Sequence, residues 1–527
     1  MALQRFLRSL LTFLILSLLF SVAYTQSPLY TSNQNTYFLH GVACADVGYL
    51  RQDWLANTRD PTPLFSALVC LTLRWFHFPA LFYGYYALLL GSYVYTLHNL
   101  ASREVDLQPR ARRLVFWALF FLIHSAAFRF VLSRTLGAEW TYALEGGLAN
   151  QRLLGIVFQP SSFGVLLLAA INLALQEKIA LALCALALTA WFHPTYLLAV
   201  VLLFLAITIW KLAETLRANT SDESQQTAQS FLRLLLFFLI LISPVALYSI
   251  TFVSGVLPQV REQAHKILFQ IRIPHHADPA VWFNSSSVFQ IFLMLSGLSL
   301  ARQKGLRWLI GIPLLFGAVL TFVVLLTRNL SLALLFPWRV SVVLIPLSVT
   351  ILLSRLAGLI SSEAEQPNRE VLIWVLPSFA TALIAITLLL GWVRISLDLQ
   401  RKHSLPEGDL IAFVASHKQP QDVYLIPVKM ENFRLASGAP IYVDFKSTPY
   451  HHLEVMEWYR RYKLATEFYR SPSCERLEQF ALEGVNHLVI ATEDSLDCAR
   501  LERIYADEAY QLFRIHPTGP MRSTPLP

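Results

Sequence analysis

Carboxylate, imidazole and aromatic side chains are concentrated between Asn33 and Asp60, the first long polar interval of the chain. Asp46 and Asp53 lie seven positions apart, so a helix through this interval would place both carboxylates on one face. Such a pair could bind a divalent cation that bridges to a phosphate, or one carboxylate could act as a general base. The alternative is that Asp46 caps a short helix and that Asp53 is solvated.

A second group of candidate residues lies in a polar stretch that ends at Asp278 and contains Arg272, His275 and His276. An arginine can clamp a phosphate through two parallel hydrogen bonds. Histidine together with aspartate could shuttle a proton or bind a metal, although adjacent histidine side chains usually point apart. The alternative is an ordinary loop at the membrane surface.

Three single positions complete the set of candidate binding residues. His193 precedes Pro194 between two apolar runs, where proline ends a helix and the imidazole could bond the freed carbonyls or contact a substrate. Arg339 lies at the edge of an apolar run, where a cation could hold a lipid phosphate or make a structural pair. Glu145 precedes two glycines, which would let a ligand approach the backbone, or it belongs to a simple connection.

The composition restricts the class of protein. Hydrophobic residues make up 55% of the chain, charged residues only 14%, and the mean hydropathy is +0.50. Soluble domains carry about 25% charged residues, so this composition indicates a polytopic membrane protein. The net charge of +8 is spread over the ends of apolar runs and forms no basic stripe with interleaved aromatics, which argues against a nucleic-acid-binding protein.

Apolar runs of membrane length recur along most of the chain, and they predict about eleven transmembrane helices. Arg5 and Arg8 precede the first run, but no clean small-residue cleavage site follows, so we expect an uncleaved first helix. The predicted spans are 6–24, 79–99, 113–131, 155–175, 179–193, 195–211, 232–253, 285–301, 308–327, 332–354 and 371–393.

Lysine and arginine counts predict the orientation. With the N-terminus inside, the inner segments hold fifteen of these residues and the outer loops eight, which agrees with the positive-inside rule. An odd number of spans then places the C-terminal domain outside the cytoplasm. The outer loops 25–63, 132–154 and 254–284 are rich in Trp, His, Pro and acids, so we expect function on that face of a transmembrane domain covering residues 1–398.

The C-terminal segment, residues 399–527, has ordinary polarity and alternating helix and strand signals. We therefore predict a mainly α membrane bundle followed by a small extracytoplasmic α/β domain with a mostly parallel sheet. The predicted helices and strands are 409–418, 452–469 and 474–483, and 422–428, 440–445, 486–492 and 510–515. Five cysteines do not indicate a disulfide framework, but Cys474 and Cys498 could form one bridge outside the cytoplasm.

This layout resembles the GT-C superfamily of integral membrane glycosyltransferases, in which an outer loop follows the first helix and a soluble domain often closes the chain. It also resembles an uncharacterised bacterial polytopic membrane family with a C-terminal α/β domain. The segments that carry the resemblance are the first loop, Trp191-Phe-His-Pro-Thr-Tyr196, the Pro-His-His loop, Arg434, Tyr442-Val-Asp-Phe-Lys446 and Glu457-Trp-Tyr-Arg460. The resemblance implies transfer of a sugar from a polyprenyl-phosphate donor to an acceptor outside the bacterial inner membrane.

The resemblance also implies roles for the candidate residues. Arg339 and Arg272 would hold the phosphate, while Asp46 or Asp53 would deprotonate the acceptor or organise a cation such as Mg²⁺ or Mn²⁺. Their own chemistry, described above, makes His193, His275, His276 and Glu145 further candidates for contact with the substrate.

One departure concerns Asn33 and Gln34, which stand where the superfamily often has acids. Amides can bind a ligand but cannot act as a general base. Two alternatives therefore stay open. One is a non-catalytic lipid- or glycan-binding scaffold. The other is a transporter or flippase, which would need charged residues deep in several spans.

Overall fold

The computed structural model describes residues 2–218, 224–360 and 370–516, which are mainly helical. The chain divides into two compact units. Unit 1 comprises Met1–Ser27, Ala80–Gly255 and His265–Asp398. Unit 2 comprises Pro28–Pro79, Val256–Ala264 and Leu399–Pro527. The interval between the first two long helices therefore clusters with the C-terminal segment.

Unit 1 is built from apolar helices, since a helix satisfies its own backbone hydrogen bonds where water is absent. The longer helices are Ala2–Tyr24, Leu81–Glu104, Arg110–His124, Ala126–Thr135, Val165–Ala174, Ile179–Phe192, Leu197–Ala218, Ser224–Ile250, Ser285–Leu300, Lys304–Thr327, Ser341–Gly358 and Glu370–His403. Short helical turns at Ala138–Trp140, Pro160–Gly164, Pro194–Tyr196, Leu268–Arg272, Pro274–Ala277, Pro279–Trp282 and Leu330–Ala333 connect them.

Six of the described helical segments are long and apolar enough to cross a membrane. A seventh candidate is the pair Arg110–His124 and Ala126–Thr135, bent by 56° at Ser125. The six are Leu7–Tyr24, Pro194–Arg217, Phe231–Ile250, Lys304–Thr327, Ser341–Gly358 and Val375–His403. The expected membrane class is thus supported, while the count of eleven spans and the orientation stay predictions.

Aromatic stacking and a central buried helix hold unit 1 together. The ring of Phe20, in the first helix, stacks on Tyr93 with the centroids 6.0 Å apart. Gly91 faces Ser17 so closely that a Cβ atom would lie 1.8 Å from its hydroxyl oxygen, so only glycine fits there. Helix Ser341–Gly358 has 72% of its residues buried, the largest share among the six candidates, and it forms the centre of the bundle.

Unit 2 combines helices with a four-stranded sheet. Its strands are β1 (Tyr424–Leu425), β2 (His487–Ala491), β3 (Leu501–Ala506) and β4 (Tyr510–Ile515), in the order β1-β2-β4-β3. Its helices are Gln34–Tyr37, Leu39–Cys44, Leu50–Gln52, Leu55–Asn57, Pro63–Leu71, Thr72–Phe76, Pro258–Ile267 (which ends in unit 1), Gly408–His417, Phe433–Ser437, His452–Arg470 and Cys474–Leu482. The three helices predicted in the C-terminal segment are confirmed within one or two residues.

The expectation of a mostly parallel sheet is wrong. Only β1 and β2 pair in parallel, whereas β4 pairs antiparallel with both β2 and β3. The predicted strand 440–445 makes only an isolated bridge between Ile441 and Tyr424. Strand β3 was not predicted. It lies at the edge of the sheet, and the side chains of its sequence Leu-Glu-Arg-Ile-Tyr-Ala are exposed or half-exposed.

The core of unit 2 lies between the sheet and helix Gly408–His417. Leu410 and Val414 on that helix pack with Tyr424, Phe433 and other buried apolar residues of the same cluster. Burial of these side chains supplies the main driving force for folding this small unit.

Two disulfides cross-link unit 2. Cys44 pairs with Cys70 and Cys474 pairs with Cys498, while Cys184 in unit 1 is free. The second pairing was foreseen as a possibility, but the first was not, because helices Leu39–Cys44 and Pro63–Leu71 give no sequence signal that they pack together. The view that the cysteines form no disulfide framework is therefore wrong for unit 2.

Removal of the first disulfide should destabilise unit 2. We expect the double variant Cys44→Ala/Cys70→Ala to lose roughly 2–4 kcal/mol of unfolding free energy, since the cross-link restricts the unfolded chain. Pulse proteolysis of the full-length protein in urea measures this loss, and Cys184→Ala is the matched control. Alkylation of Cys44 and Cys70 in the unreduced wild-type protein would contradict the pairing.

Candidate functional site

A break between two helices of unit 1 positions the first candidate residue, His193. Helix Ile179–Phe192 ends there, and the turn Pro194–Tyr196 leads into the next helix, because proline cannot continue the previous one. The ring of His193 meets Tyr196 edge to face, with the centroids 5.7 Å apart. The Tyr196 hydroxyl donates a hydrogen bond to the carbonyl of Ser161 at 2.8 Å, which fixes the aromatic ring.

Arg339 reaches the same place from a distant part of the chain. It lies two residues before helix Ser341–Gly358, after a turn in which Phe336 adopts a left-handed conformation with φ of 53°. The guanidinium carbon lies 4.5 Å from the centroid of the Tyr196 ring, a cation–π arrangement. Its buried Nε has no hydrogen-bond partner among the described residues. The arginine is therefore held in place with one donor unused.

His276 adds an imidazole whose tautomer follows from its neighbour. Its Nδ1 lies 2.7 Å from the carbonyl oxygen of Ala149. A carbonyl oxygen can only accept, so we assign the proton to Nδ1, and the neutral ring keeps a lone pair on Nε2. Burial lowers the pKa of His276 well below its usual value, and the nearby charges of His275 and Arg339 lower it further. His276 is consequently neutral at pH 7.

A polar pocket lies along the loop that carries Ala149. Arg152 stacks on the Tyr142 ring at 3.8 Å, and its charge also acts on His276. The pocket has a cavity volume of about 20 Å³, room for roughly one water molecule. Its polar lining includes Glu139, Asn150, Gln151, Arg152, Ser287 and Gln290. No described residue donates a hydrogen bond to the buried Oε1 of Gln151.

Glu145 lies on the same loop but is held by a buried ion pair. One of its carboxylate oxygens accepts a hydrogen bond from Nη1 of Arg129 at 3.1 Å, and both side chains are buried. Arg129 also donates to the carbonyl of His124. Burial raises the pKa of Glu145, and the charge of Arg129 opposes that rise. This pairing fixes the loop, and a ligand contact by Glu145 stays a prediction.

Asp53 lies in unit 2, where its carboxylate is enclosed by donors. One oxygen accepts from Arg434 Nε and from the Ile441 amide, both at 3.0 Å. The other oxygen accepts from the Leu55 amide at 2.9 Å. Arg434 Nη1 lies 2.9 Å from a carboxylate oxygen of Asp444, so one buried guanidinium joins two buried carboxylates.

This three-charge cluster of Asp53, Arg434 and Asp444 has the features of a structural centre. Both oxygens of Asp53 are occupied and the residue is only 1% exposed, so an acceptor hydroxyl has no free oxygen to approach. Burial raises the pKa of Asp444, while the charge of Arg434 and the amide of Ser447 lower it. The geometry thus favours a structural role for Asp53, and its predicted catalytic role has no direct support.

Asp46 occupies a quite different environment. It is exposed, adopts a left-handed conformation with φ of 55° and pairs with Arg51 at 3.3 Å. Helix Leu39–Cys44 ends before it, so the two-turn helical spacing to Asp53 does not exist. The chain then turns at Gly48, with φ of +60°, where a Cβ would lie 2.3 Å from the Gly438 carbonyl. Only glycine fits that close approach.

The amide residues Asn33 and Gln34 lie at the start of a short helix. Asn33 directly precedes helix Gln34–Tyr37, and the buried Gln34 accepts a hydrogen bond from the Tyr30 amide at 2.8 Å. Gln34 therefore stabilises the local turn. Next to it, the buried side-chain amide of Asn35 has no hydrogen-bond partner among the residues that the structure describes.

The remaining candidates are neighbours of His276. Arg272 ends the helical turn Leu268–Arg272, and the ring of His275 lies 4.1 Å from that of His276. Four separate parts of unit 1 thus contribute to one group, which we call the cation–imidazole cluster: Arg152, His193, Tyr196, His276 and Arg339. Within residues 2–218, 224–360 and 370–516, no three His, Cys, Asp or Glu side chains are grouped to hold a metal ion.

Comparison with family models gives a match in the C-terminal segment. Residues 406–465 match a family model described as a domain of unknown function, DUF6798. The matched segment begins just before helix Gly408–His417 and includes Arg434, Asp444 and most of helix His452–Arg470. No curated protein matches the chain. The matched domain therefore contains two members of the buried three-charge cluster.

Proposed function

We propose that this chain is a membrane glycosyltransferase-like protein that transfers a sugar from a polyprenyl-phosphate donor to an acceptor outside the cytoplasm. The observation that supports this most is the cation–imidazole cluster in a unit built from membrane-length helices. A lipid phosphate needs cationic donors beside an apolar path for its chain. Arg339 offers a held guanidinium with a free donor beside such helices.

In this proposal Arg339 and Arg152 bind the phosphate, and the sugar lies over the polar side chains around Arg152. Nε2 of His276 takes the proton of the acceptor hydroxyl. The acceptor oxygen forms a bond to the anomeric carbon while the bond from that carbon to the phosphate oxygen breaks. The polyprenyl phosphate leaves with the electron pair, and its negative charge is stabilised by the two arginines.

The bacterial inner membrane, with unit 2 on its outer face, is the location that fits this proposal. The two disulfides of unit 2 support an oxidising compartment, because the bacterial cytoplasm keeps thiols reduced. The distribution of lysine and arginine in the sequence supports the same orientation.

A second candidate function is a non-catalytic protein that binds a lipid-linked glycan. It is favoured by the state of the two carboxylates, since Asp53 is enclosed and Asp46 forms an exposed ion pair. Amides at Asn33 and Gln34 add no base. The two functions differ in whether polyprenyl phosphate is released.

The test uses the full-length protein in nanodiscs with photoreactive polyprenyl-phosphate hexoses, followed by detection of released polyprenyl phosphate. We expect wild-type protein to be labelled and to release product when membrane glycans are supplied. His276→Gln, whose amide can still donate to Ala149, should be labelled but release product at least about a hundredfold more slowly. Labelling without release by wild-type protein would favour the binding protein, and no labelling would contradict both functions.

The same assay predicts a pH dependence. Because burial lowers the pKa of His276, its neutral form persists below the ordinary histidine pKa of about 6.5. Release by wild-type protein should therefore change less than about twofold between pH 7.5 and pH 6, where an ordinary histidine would be mostly protonated. A fall that follows an ordinary histidine titration would contradict the assignment of the base.

A further inference from the structure

The segment from Pro63 to Phe78 in unit 2 has two apolar faces. One face is buried, with Phe65, Val69 and Leu73 turned into the unit. The ring of Phe65 packs against Phe38 at a centroid distance of 5.6 Å. This inner face accounts for the folding of the segment onto unit 2, but it leaves the other face unexplained.

The outer face carries large apolar side chains in a short stretch. Leu71, Trp75, Phe76 and Phe78 are 41%, 69%, 61% and 57% exposed, and the cationic side chain of Arg74 is exposed among them. A water-soluble surface seldom presents so many large apolar groups side by side, and such a patch marks a binding surface. The question is which partner covers it.

The chemistry of this face fits a bilayer surface. Tryptophan and other aromatics with a neighbouring arginine are typical of the headgroup level of a membrane. The helical turn Thr72–Phe76 ends at His77, whose left-handed φ of 51° redirects the chain. The exposed side chains can therefore lie in the plane of an interface.

Chain connectivity supports the same partner. Three residues after Phe78 the chain enters helix Leu81–Glu104 of unit 1. The start of that helix lies beside the end of the first candidate span, because Gln26 donates a hydrogen bond to the Tyr83 carbonyl at 3.2 Å. Three residues reach at most about 11 Å, so Phe78 lies within that distance of the start of helix Leu81–Glu104.

We propose that Leu71–Phe78 is an interfacial membrane anchor, with Trp75, Phe76 and Phe78 inserted among lipid headgroups and upper acyl chains. The disulfide between Cys44 and Cys70 joins this anchor to helix Leu39–Cys44 and so fixes unit 2 to the bilayer surface. The anchor does not depend on whether the protein transfers a sugar.

The test measures the surroundings of single positions in the full-length protein. On a Cys184→Ala background, nitroxide labels are attached at Trp75→Cys and, separately, at Phe78→Cys in liposomes of phosphatidylethanolamine and phosphatidylglycerol. Leu482→Cys is the matched control, since Leu482 is an exposed apolar residue of the same unit at 81% exposure. Peptide mapping first confirms that both native disulfides are intact in each variant.

We expect the labels at positions 75 and 78 to relax at least about threefold more with oxygen than with water-soluble nickel chelate, since oxygen concentrates in lipid. The label at position 482 should show the reverse. Equal nickel accessibility at all three positions would overturn the proposal. Protection of positions 75 and 78 from both reagents would overturn it as well, because a protein partner or a second copy would then cover the face.

Discussion

Replacement of Asp53 by asparagine is expected to destabilise unit 2 by about 3–5 kcal/mol, the usual cost of breaking a buried ion pair from one side. The variant side chain has nearly the same shape, so the effect isolates charge and hydrogen bonding. An amide at this position turns a donor toward Arg434 or Ile441, both of which already donate to this residue. Pulse proteolysis of the full-length protein in urea measures the loss.

Asp46→Asn is the matched control for this prediction. Its exposed pair with Arg51 should contribute less than about 1 kcal/mol. Arg434→Met should be at least as harmful as Asp53→Asn, because it leaves two buried carboxylates without a cation. The double variant should cost less than the sum of the two, as expected for directly coupled residues. Equal stability of Asp53→Asn and wild type would contradict the structural role.

This result also decides how activity data should be interpreted. A loss of function in Asp53→Asn would suggest a catalytic carboxylate, yet unfolding of unit 2 would produce the same loss. The stability measurement separates the two explanations, because a catalytic role predicts inactive protein that resists proteolysis as wild type does.

Replacement of Arg339 by alanine is expected to weaken binding of polyprenyl phosphate by about ten- to a hundredfold, the cost of one or two charge-assisted hydrogen bonds. The guanidinium is held over Tyr196 with its Nε unused, so it needs little reorganisation to bind an anion. Competition of unlabelled polyprenyl phosphate against the photoreactive probe measures the change in affinity. Arg339→Lys should recover only part of it, because an ammonium cannot form the same fork.

Arg328→Asn provides the control for Arg339. Arg328 is an exposed arginine in the same region of the chain, with a left-handed φ of 52° that asparagine tolerates. It should bind the probe as wild type does. If both variants lost affinity equally, the binding would depend on overall positive charge, and the specific role of Arg339 would be contradicted.

The helical architecture could be predicted from the sequence because hydrophobic periodicity and run length are local properties. The His193–Pro194 break and the C-terminal helices were foreseen for the same reason. The sheet was harder to predict from the sequence, since strand direction depends on how distant segments pair. Edge strand β3 lacks the apolar alternation that signals a strand.

The sequence singled out three members of the cation–imidazole cluster but not their arrangement. His193, His276 and Arg339 could each be singled out by type and flanking prolines. Nothing in the sequence shows that His193 and Arg339 meet at the Tyr196 ring or that His276 lies near Arg339. Tyr196 itself could have been found from its spacing, three positions after His193 at the start of a helix. The pairing of Arg434 could not be predicted, because its partner Asp53 lies 381 positions earlier.

That separation has a consequence for the biosynthesis of the protein. Cys70 follows Cys44 by 26 residues, so the first disulfide can close early during synthesis. The ion pair of Asp53 cannot form until Arg434 has been synthesised. At about 5–20 residues per second, a ribosome reaches Arg434 roughly 20–80 s after Asp53. In a chain that ends before Arg434, the carboxylate of Asp53 stays hydrated. The N-terminal part of unit 2 then cannot reach its folded structure. Unit 2 can therefore be completed only after translation has reached the C-terminal domain.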